Sequence, residues 1–505
     1  MLSQILLRIP DLLVILLTFG VMVFIGGYCA RRNKSSETYF LAGRNMPGWV
    51  VGFSLMATGI SSMTFLAAPG FAFKENWRYM PCHVGYIVAL IVMVCIYMPF
   101  FRRSNVSSAY EYLERRFGSW ARIYAALSFI LFQMTRLGVI LYAVCLPIKE
   151  MTGFGMPVII IFFGIIVAAY TIAGGLEAVI WTDLLQGLAL IIGGFICLPI
   201  VLMKLPGGWS QLMEAASADS KMSMGATAFT FSEKTIWVMM LMSLFNFLQL
   251  GCTDQMTIQR YIAPRNEKEA RKALYVGGLL SLPVWVYFTF IGTAIYVFYK
   301  AFPDPEVNNI VPERVLSFFI LREVPAGLAG FVIAGLLAAA MSTLDSSINA
   351  SAATVTNDFY RRFYRTDLSE EKYLKVGRII SMIFGALMIA VALIIHYSRT
   401  ETLADLQSLL TSVLSGGLLA LFWLGFFTKR VSNKVAALSV VFAISASVVW
   451  LFVPSVSKSM PDKFWMIILL NITSFIIGIL LSLFIKPDDK NLEGLTVWTI
   501  NHKEN

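Results

Sequence analysis

Charge is scarce in this sequence. Only 14% of the 505 residues are Asp, Glu, Lys or Arg, against 58% hydrophobic, and mean hydropathy is +0.73. A soluble globule would lack the polar residues to cover its surface, so the chain reads as an integral, all-α membrane protein. Histidine is scarcer still, with three residues far apart at 83, 396 and 502, which excludes a His-rich metal site. The six cysteines show no CxxC spacing and lie in or beside apolar segments, so they read as small core residues. No GxxxxGK[ST] phosphate loop occurs, which argues against a primary pump. A convergent acid, base and nucleophile set for an enzyme is also missing. A paired-carboxylate protease built on Asp183 and Asp345 is conceivable, but the hydroxyls and disrupted helices around them favour ion binding.

What the chain has is long apolar runs. A spanning helix needs about 20 apolar residues, and thirteen segments meet that test: 10–30, 48–72, 80–101, 123–148, 156–174, 180–203, 235–257, 273–299, 326–355, 378–397, 405–428, 433–453 and 464–485. The first, followed by Ala30-Arg31-Arg32-Asn33-Lys34 and no small-residue cleavage site, reads as a retained helix. With the N-terminus outside, the inward loops and tail hold 26 Lys or Arg and the outward segments 13. That bias satisfies the positive-inside rule and places the C-terminus inside. The formal charge of +10 is thus a topology signal and gives no reason to invoke nucleic acid. The N-x-Ser/Thr sites at Asn105, Asn349 and Asn471 fall in a cytoplasmic loop or in membrane, which suits a bacterial inner membrane.

Ionisable groups inside a membrane cost at least ~2.5 kcal/mol on insertion scales and mark function. Three stand out: Arg136, Asp183 and Asp345. Arg136 is the single charge in 124–148, twelve residues or roughly 18 Å from either end, too deep to snorkel. It either pairs with an internal aspartate or meets an anionic substrate, for which a planar fork of donors is suited. In 336–353, Ser342, Asp345, Ser346 and Asn349 recur at i, i+3, i+4, i+7 and form one polar stripe. Close helix packing explains Ala338, Ala339 and Ala340, but a buried Asp345 needs a partner, which points to a cation held by oxygens.

Two further segments look broken. In 52–71, Gly59, Ser61, Ser62, Thr64, Pro69 and Gly70 weaken the helix mid-membrane, which would release carbonyls near Ala57 and Ile60. In 244–255, Asn246, Gln249 and Gly251 lie mid-segment. Paired discontinuous helices in two halves mark a secondary transporter's midplane site, and segments 2 and 7 are five apart, as two five-helix repeats require. Asp254, Gln255 and Gln259 read as an inner gate or a folding contact.

The blocks YFLAGRNMPGWVVGFSLMATGISSMTFLAAPG, SSAYEYLERRF, YTIAGGLEAVIWTDLLQG, TDQMTIQRY and AAAMSTLDSSINA, in order from about residue 37 to 430, resemble the signature blocks of the sodium/solute symporter family, relatives of the sodium/glucose cotransporters. Within it the chain is most similar to the bacterial sialic acid symporters. The resemblance implies a LeuT-like fold: an extra helix in 1–35, inverted repeats in 48–203 and 235–428, two final helices in 433–485 and a cytoplasmic tail in 486–505. It also implies a common sodium site of backbone oxygens from Ala57, Ile60 and Ala339 with the hydroxyls of Ser342 and Thr343.

A second sodium would lie at Asp183, Ser342 and Ser346. There Asp345 replaces the expected serine and could strengthen that site, bind a proton or pair with Arg136; the first is favoured. The substrate set would be Ser61, Thr64 and Arg136, with Gly59 in place of a threonine and His83 in place of a glutamine, joined by Asn246 and Gln249. Alternatively, His83 is a solvated residue near the outer end of its helix. The expected activity is sodium-coupled import of a small polar solute, a carboxylated sugar such as sialic acid, by alternating access. A neutral organic solute or proton coupling is the alternative. The partners are then the solute, Na+ and the lipid bilayer, with no obligate protein partner evident. About 20 residues after the last helix leave no room for a sensor kinase, and stoichiometric coupled uptake separates a symporter from a sodium channel.

Overall fold

The computed structural model describes residues 8–60, 62–230, 233, 235–308, 310–364, 367–398, 416–461 and 463–500. Ser61, the Thr64 side chain and much of the predicted segment 405–428 lie outside the described residues. The described residues are helical with no strand beyond one isolated bridge between Met46 and Pro264. In chain order the helices are α1 (Ile9–Ala30), α2 (Ser36–Leu41), α3 (Gly48–Gly59), α4 (Ser62–Lys74), α5 (Cys82–Val92), α6 (Met98–Arg103), α7 (Ala109–Phe117), α8 (Ser119–Thr152) and α9 (Met156–Lys204). There follow α10 (Gly208–Ala218), α11 (Ile236–Thr253), α12 (Gln255–Ile262), α13 (Glu267–Ala301), α14 (Pro305–Asn308), α15 (Val315–Glu323), α16 (Leu328–Thr354) and α17 (Glu370–Ser398). Helices Leu418–Phe427, Asn433–Phe452 and Met466–Phe484 complete the set of apolar helices.

Ten helices among the described residues are long and apolar enough to cross a membrane. Two predicted segments, 156–174 and 180–203, share α9. Its 49 residues would measure about 74 Å if straight, more than twice a hydrocarbon core of about 30 Å. The helix therefore turns at Gly175, whose φ of 58° and ψ of −157° lie in a region open essentially to glycine alone. The inside of that corner holds α2: a Cβ on Gly175 would stand 2.5 Å from the Tyr39 carbonyl oxygen, and the Tyr39 hydroxyl donates to the Ile172 carbonyl at 3.1 Å.

Helix α16 is the central post, with nearly every residue buried between α9, α1 and α8. An all-round buried helix normally reads as apolar all round, which makes its serines, threonines and aspartate the more informative. Its N-terminus is capped from α1: Asp11 accepts from the N–H groups of Gly327 and Gly330, both at 2.7 Å, placing an anion where the helix dipole is positive. Apolar side chains left exposed, such as Phe24, Val158, Ile383 and Phe484, lie on outer helices and suit contact with lipid.

The breaks follow the sequence expectation in one segment and correct it in the other. The second predicted segment splits into α3 and α4, and Ile60 leaves the helix at φ −96°, ψ 82°. The seventh does not break at Asn246, Gln249 or Gly251. Helix α11 runs through all three and ends at Thr253, and the chain turns at Asp254, whose side chain caps α12 by accepting from Met256 N–H at 2.8 Å. Gly251 is there for close packing, since a Cβ would come 2.7 Å from Met93 Cγ. We expect Gly175→Ala to cost about 1–3 kcal/mol in backbone strain alone, and more from the Tyr39 collision. A melting curve of the detergent-purified protein would then shift down by several degrees relative to wild type.

Candidate functional site

Where α3 ends against the middle of α16, oxygens converge. Ser342 Oγ donates to the carbonyls of Ala57 at 3.0 Å and Ala339 at 3.1 Å. Thr343 Oγ1 lies 3.4 Å from the Ala339 carbonyl and 3.5 Å from that of Thr58. Ile60, fully buried, sits at the helix break, so its carbonyl is free of the helical pattern. The helix end supplies unsatisfied carbonyls and the polar stripe of α16 supplies hydroxyls. An all-oxygen set of this kind suits a hard cation. Four of the five predicted residues, Ala57, Ala339, Ser342 and Thr343, are thus linked by hydrogen bonds, and the fifth, Ile60, adjoins them.

The predicted second cation set is differently arranged. Asp183 and Asp345 are both fully buried. Asp183 Oδ2 accepts from Arg260 Nη2 at 2.9 Å, from Ser54 Oγ and, at 3.4 Å, from Thr58 Oγ1. The same Arg260 donates to Ser346 Oγ at 2.6 Å, Thr58 Oγ1 at 2.9 Å, Ser54 Oγ at 2.8 Å and the Met256 carbonyl at 3.0 Å. A guanidinium therefore already engages Asp183 and Ser346, two of the four residues assigned to that set. Asp345 does not pair with Arg136. It accepts from the Tyr170 hydroxyl at 2.6 Å. One oxygen on each carboxylate, together with Gln186 Oε1, is buried with no hydrogen-bond partner. Arg260 escapes the sequence reading because it stands in a basic stretch at the end of TDQMTIQRY and resembles a loop cation. The signal that could find it is charge balance, since a fully buried aspartate needs a cation at hand.

Two cavities meet beside this cluster. The outer, of about 360 Å³, is lined by Gly59, Phe71, Trp77, Tyr79, His83, Phe247 and Trp285 among others, a size that suits a small ligand. The inner, of about 170 Å³, is lined by Thr58, Gly59, Tyr86, Arg136, Asp254, Arg260, Ser281 and Trp285 among others. Gly59, Phe247 and Trp285 line both, and a Cβ on Gly59 would meet nothing within 4 Å. His83 is half-buried. Its Nδ1 lies 3.0 Å from the Met80 carbonyl and its ring packs edge-on to Trp285 at 4.4 Å, so it is a wall residue and no solvated surface group. Arg136 makes no ion pair or hydrogen bond with a described residue. Its guanidinium lies 5.7 Å from the centroid of the Phe132 ring.

Asn246 and Gln249 do not join this site. Asn246 is exposed and lines neither cavity. Gln249 turns the other way, its Oε1 accepting from Asn471 Nδ2 at 3.4 Å on the helix Met466–Phe484. A polar residue mid-span satisfies itself on a neighbouring helix as readily as in a cavity, and spacing alone does not tell the two apart. Gln255 and Gln259 make folding contacts: Gln255 Oε1 accepts from Ala109 N–H at 3.1 Å, and Gln259 Nε2 donates to the Phe40 carbonyl at 3.0 Å and Asn349 Oδ1 at 3.1 Å. Removing the charge of Arg260 in Arg260→Met leaves Asp183 buried and uncompensated, at an expected cost of about 3–5 kcal/mol. Adding Asp183→Asn to that variant is expected to recover most of the lost melting temperature, and independent additive losses would refute the pairing.

Comparison with known proteins identifies the family and the fold. The profile of the sodium:solute symporter family matches residues 39–443. The chain is 33% identical over 435 residues to the sodium/sialic acid symporter NanT of Aliivibrio fischeri, covering 85% of each chain. It is 32% identical to the sodium/sialic acid symporter SiaT of Proteus mirabilis, covering 85% of this chain and 86% of the relative. A solved structure of a Na+-coupled sialic acid symporter, substrate-bound and outward-open, superposes with a TM-score of 0.88 at 29% identity, over 95% of this chain and 99% of that one. The nucleobase-cation symporter Mhp1 in a closed conformation shares the fold at a TM-score of 0.56 and 17% identity, over 89% and 94%. The fold is thus that of the LeuT-like transporters, and the chain belongs to the sodium:solute symporter family.

Proposed function

We propose that this chain is a multi-pass inner-membrane symporter that uses inward sodium flow to import a carboxylated sugar of the sialic acid class by alternating access. The observation that carries the reading is an arginine with no ionic partner among the described residues, Arg136, in the wall of a cavity that also reaches the broken end of α3. A guanidinium kept free at that depth is costly unless an anion arrives to meet it, and a carboxylate fits its paired donors. His83, Gly59, Ser61 and Thr64 are assigned to the solute's remaining contacts. The relatives at 32–33% identity carry sialic acid in their names, which supports the same solute class.

Sodium is assigned to the oxygens of Ala57, Ile60, Ala339, Ser342 and Thr343. Its ligands come from α3 and α16, so binding would tie the broken helix to the central post. The polar cluster of Asp183, Ser342, Asp345 and Ser346, with Arg260 inside it, is assigned a second cation. Two carboxylates and one guanidinium carry one formal negative charge in excess, and the oxygens of Asp183 and Asp345 that lack hydrogen-bond partners are available to that cation. Thirteen spans, ten of them in two inverted five-helix repeats with one helix before and two after, and the N-terminus outside, complete the reading.

Uptake of labelled N-acetylneuraminic acid into proteoliposomes tests it. Accumulation is expected with an inward sodium gradient and is expected to vanish when choline replaces sodium; equal uptake in both would overturn sodium coupling. Ser342→Ala removes one ligand and is expected to raise the sodium concentration for half-maximal uptake about tenfold, equivalent to about 1.4 kcal/mol. Arg136→Ala is expected to abolish uptake while sodium still raises the melting temperature, because ligand-linked stabilisation needs only the ion site. Loss of folding with retained uptake in the surviving fraction would make Arg136 a structural residue.

A further inference from the structure

Arg136 faces one formal charge that is not otherwise committed. Asp254 lines the same inner cavity and is the charged group whose field acts on Arg136, yet the two form no ion pair. Asp254 spends one oxygen, Oδ1, on the α12 cap, while Oδ2 makes no hydrogen bond to a described residue. The other cation on that wall, Arg260, donates its hydrogen bonds to Ser54, Thr58, Asp183, Ser346 and the Met256 carbonyl and none to Asp254, on which its field acts less than that of Arg136. The position is also a joint. Asp254 has φ −88° and ψ 116° between two helices, a single extended residue about which α12 and α11 can change their angle.

We propose that Asp254 is the exchange counter-ion of the transport cycle: it takes the place of the solute's carboxylate on Arg136 when the solute leaves toward the cytoplasm. This rests on the reading of Arg136 as the anion-binding group. The physical ground is that a guanidinium held in a low-dielectric cavity is costly without an anion close by. With solute bound, the carboxylate supplies it and Asp254 stays across the cavity. Once the solute departs, the unused Asp254 carboxylate neutralises Arg136, and the empty carrier can reorient without a bare charge in its core. The same pair competes with the solute, which promotes release on the inner side.

Asp254→Asn isolates this role, because asparagine caps a helix as well as aspartate and loses the charge alone. Two assays in proteoliposomes with N-acetylneuraminic acid are compared: net sodium-driven uptake, which requires return of the empty carrier, and exchange of internal for external solute, which does not. The expected result is a three- to tenfold tighter apparent Kd in saturating sodium and a ratio of net uptake to exchange at least tenfold below wild type. An unchanged Kd and ratio would overturn the proposal and leave Asp254 as a cap. Asp254→Ala, which removes the cap too, provides the control: a fall in melting temperature in this variant but not in Asp254→Asn separates folding from charge.

Arg136→Lys distinguishes failure of the inference from failure of its premise. If Arg136→Lys weakens solute binding and Asp254→Asn changes nothing, only the counter-ion role falls. If neither variant alters binding, or wild type does not bind the solute, the anion reading of Arg136 falls and takes this proposal with it.

Discussion

The ion pair between Arg260 and Asp183 is what the rest of the site hangs on. Arg260 arrives from α12, Asp183 from the second half of α9, and the hydroxyls that bridge them come from α3 and α16. Four elements distant in sequence are thus fixed around one guanidinium. A buried pair of this kind is a weak source of net stability, since desolvating both charges offsets most of their attraction. Its value is positional. It sets where the end of α3 lies against α16, and so whether the carbonyls of Ala57 and Ile60 stand within reach of the Ser342 and Thr343 hydroxyls.

The features legible in the sequence were those written in local spacing. The stripe of Ser342, Asp345, Ser346 and Asn349 follows from helical periodicity, and the break near Gly59 and Ile60 follows from a run of poor helix formers inside an apolar segment. Arg136 was legible because depth alone forbids an idle charge. Features set by tertiary contact were not. Gln249 lies in an α11 stretch that reads like a disrupted helix, yet the helix is continuous there and the side chain bonds Asn471. The true joint is three residues beyond Gly251, where an aspartate at a cap position ends one helix and opens the next. Asp11, in the first apolar segment, caps α16 from 316 residues away, a contact that no local spacing announces.

The two cavities differ in chemistry along one axis. Aromatic rings dominate the outer, and the charged residues Arg136, Asp254 and Arg260 lie in the inner. A sugar acid has the same asymmetry, with ring faces that stack on aromatic side chains at one end and a carboxylate at the other. On the function proposed above, such a solute would bind with its carboxylate toward Arg136 and its ring against the aromatic wall.

The glycines on the broken helix divide the molecule's freedom to change. A side chain at Gly52 would run into Val276, one at Gly70 into the Pro312 backbone, and one at Gly292 of α13 into the Pro69 backbone. These positions are locked by close packing, against backbone at Gly70 and Gly292 and against a β-branched side chain at Gly52. Gly59, on the same broken helix, faces open space between the cavities. Drift at the locked positions is filtered by folding, whereas a side chain at 59 would enter the cavities and, on the function proposed above, meet the solute. Descendants of this chain can therefore alter what they carry at that one position without renegotiating the architecture around it.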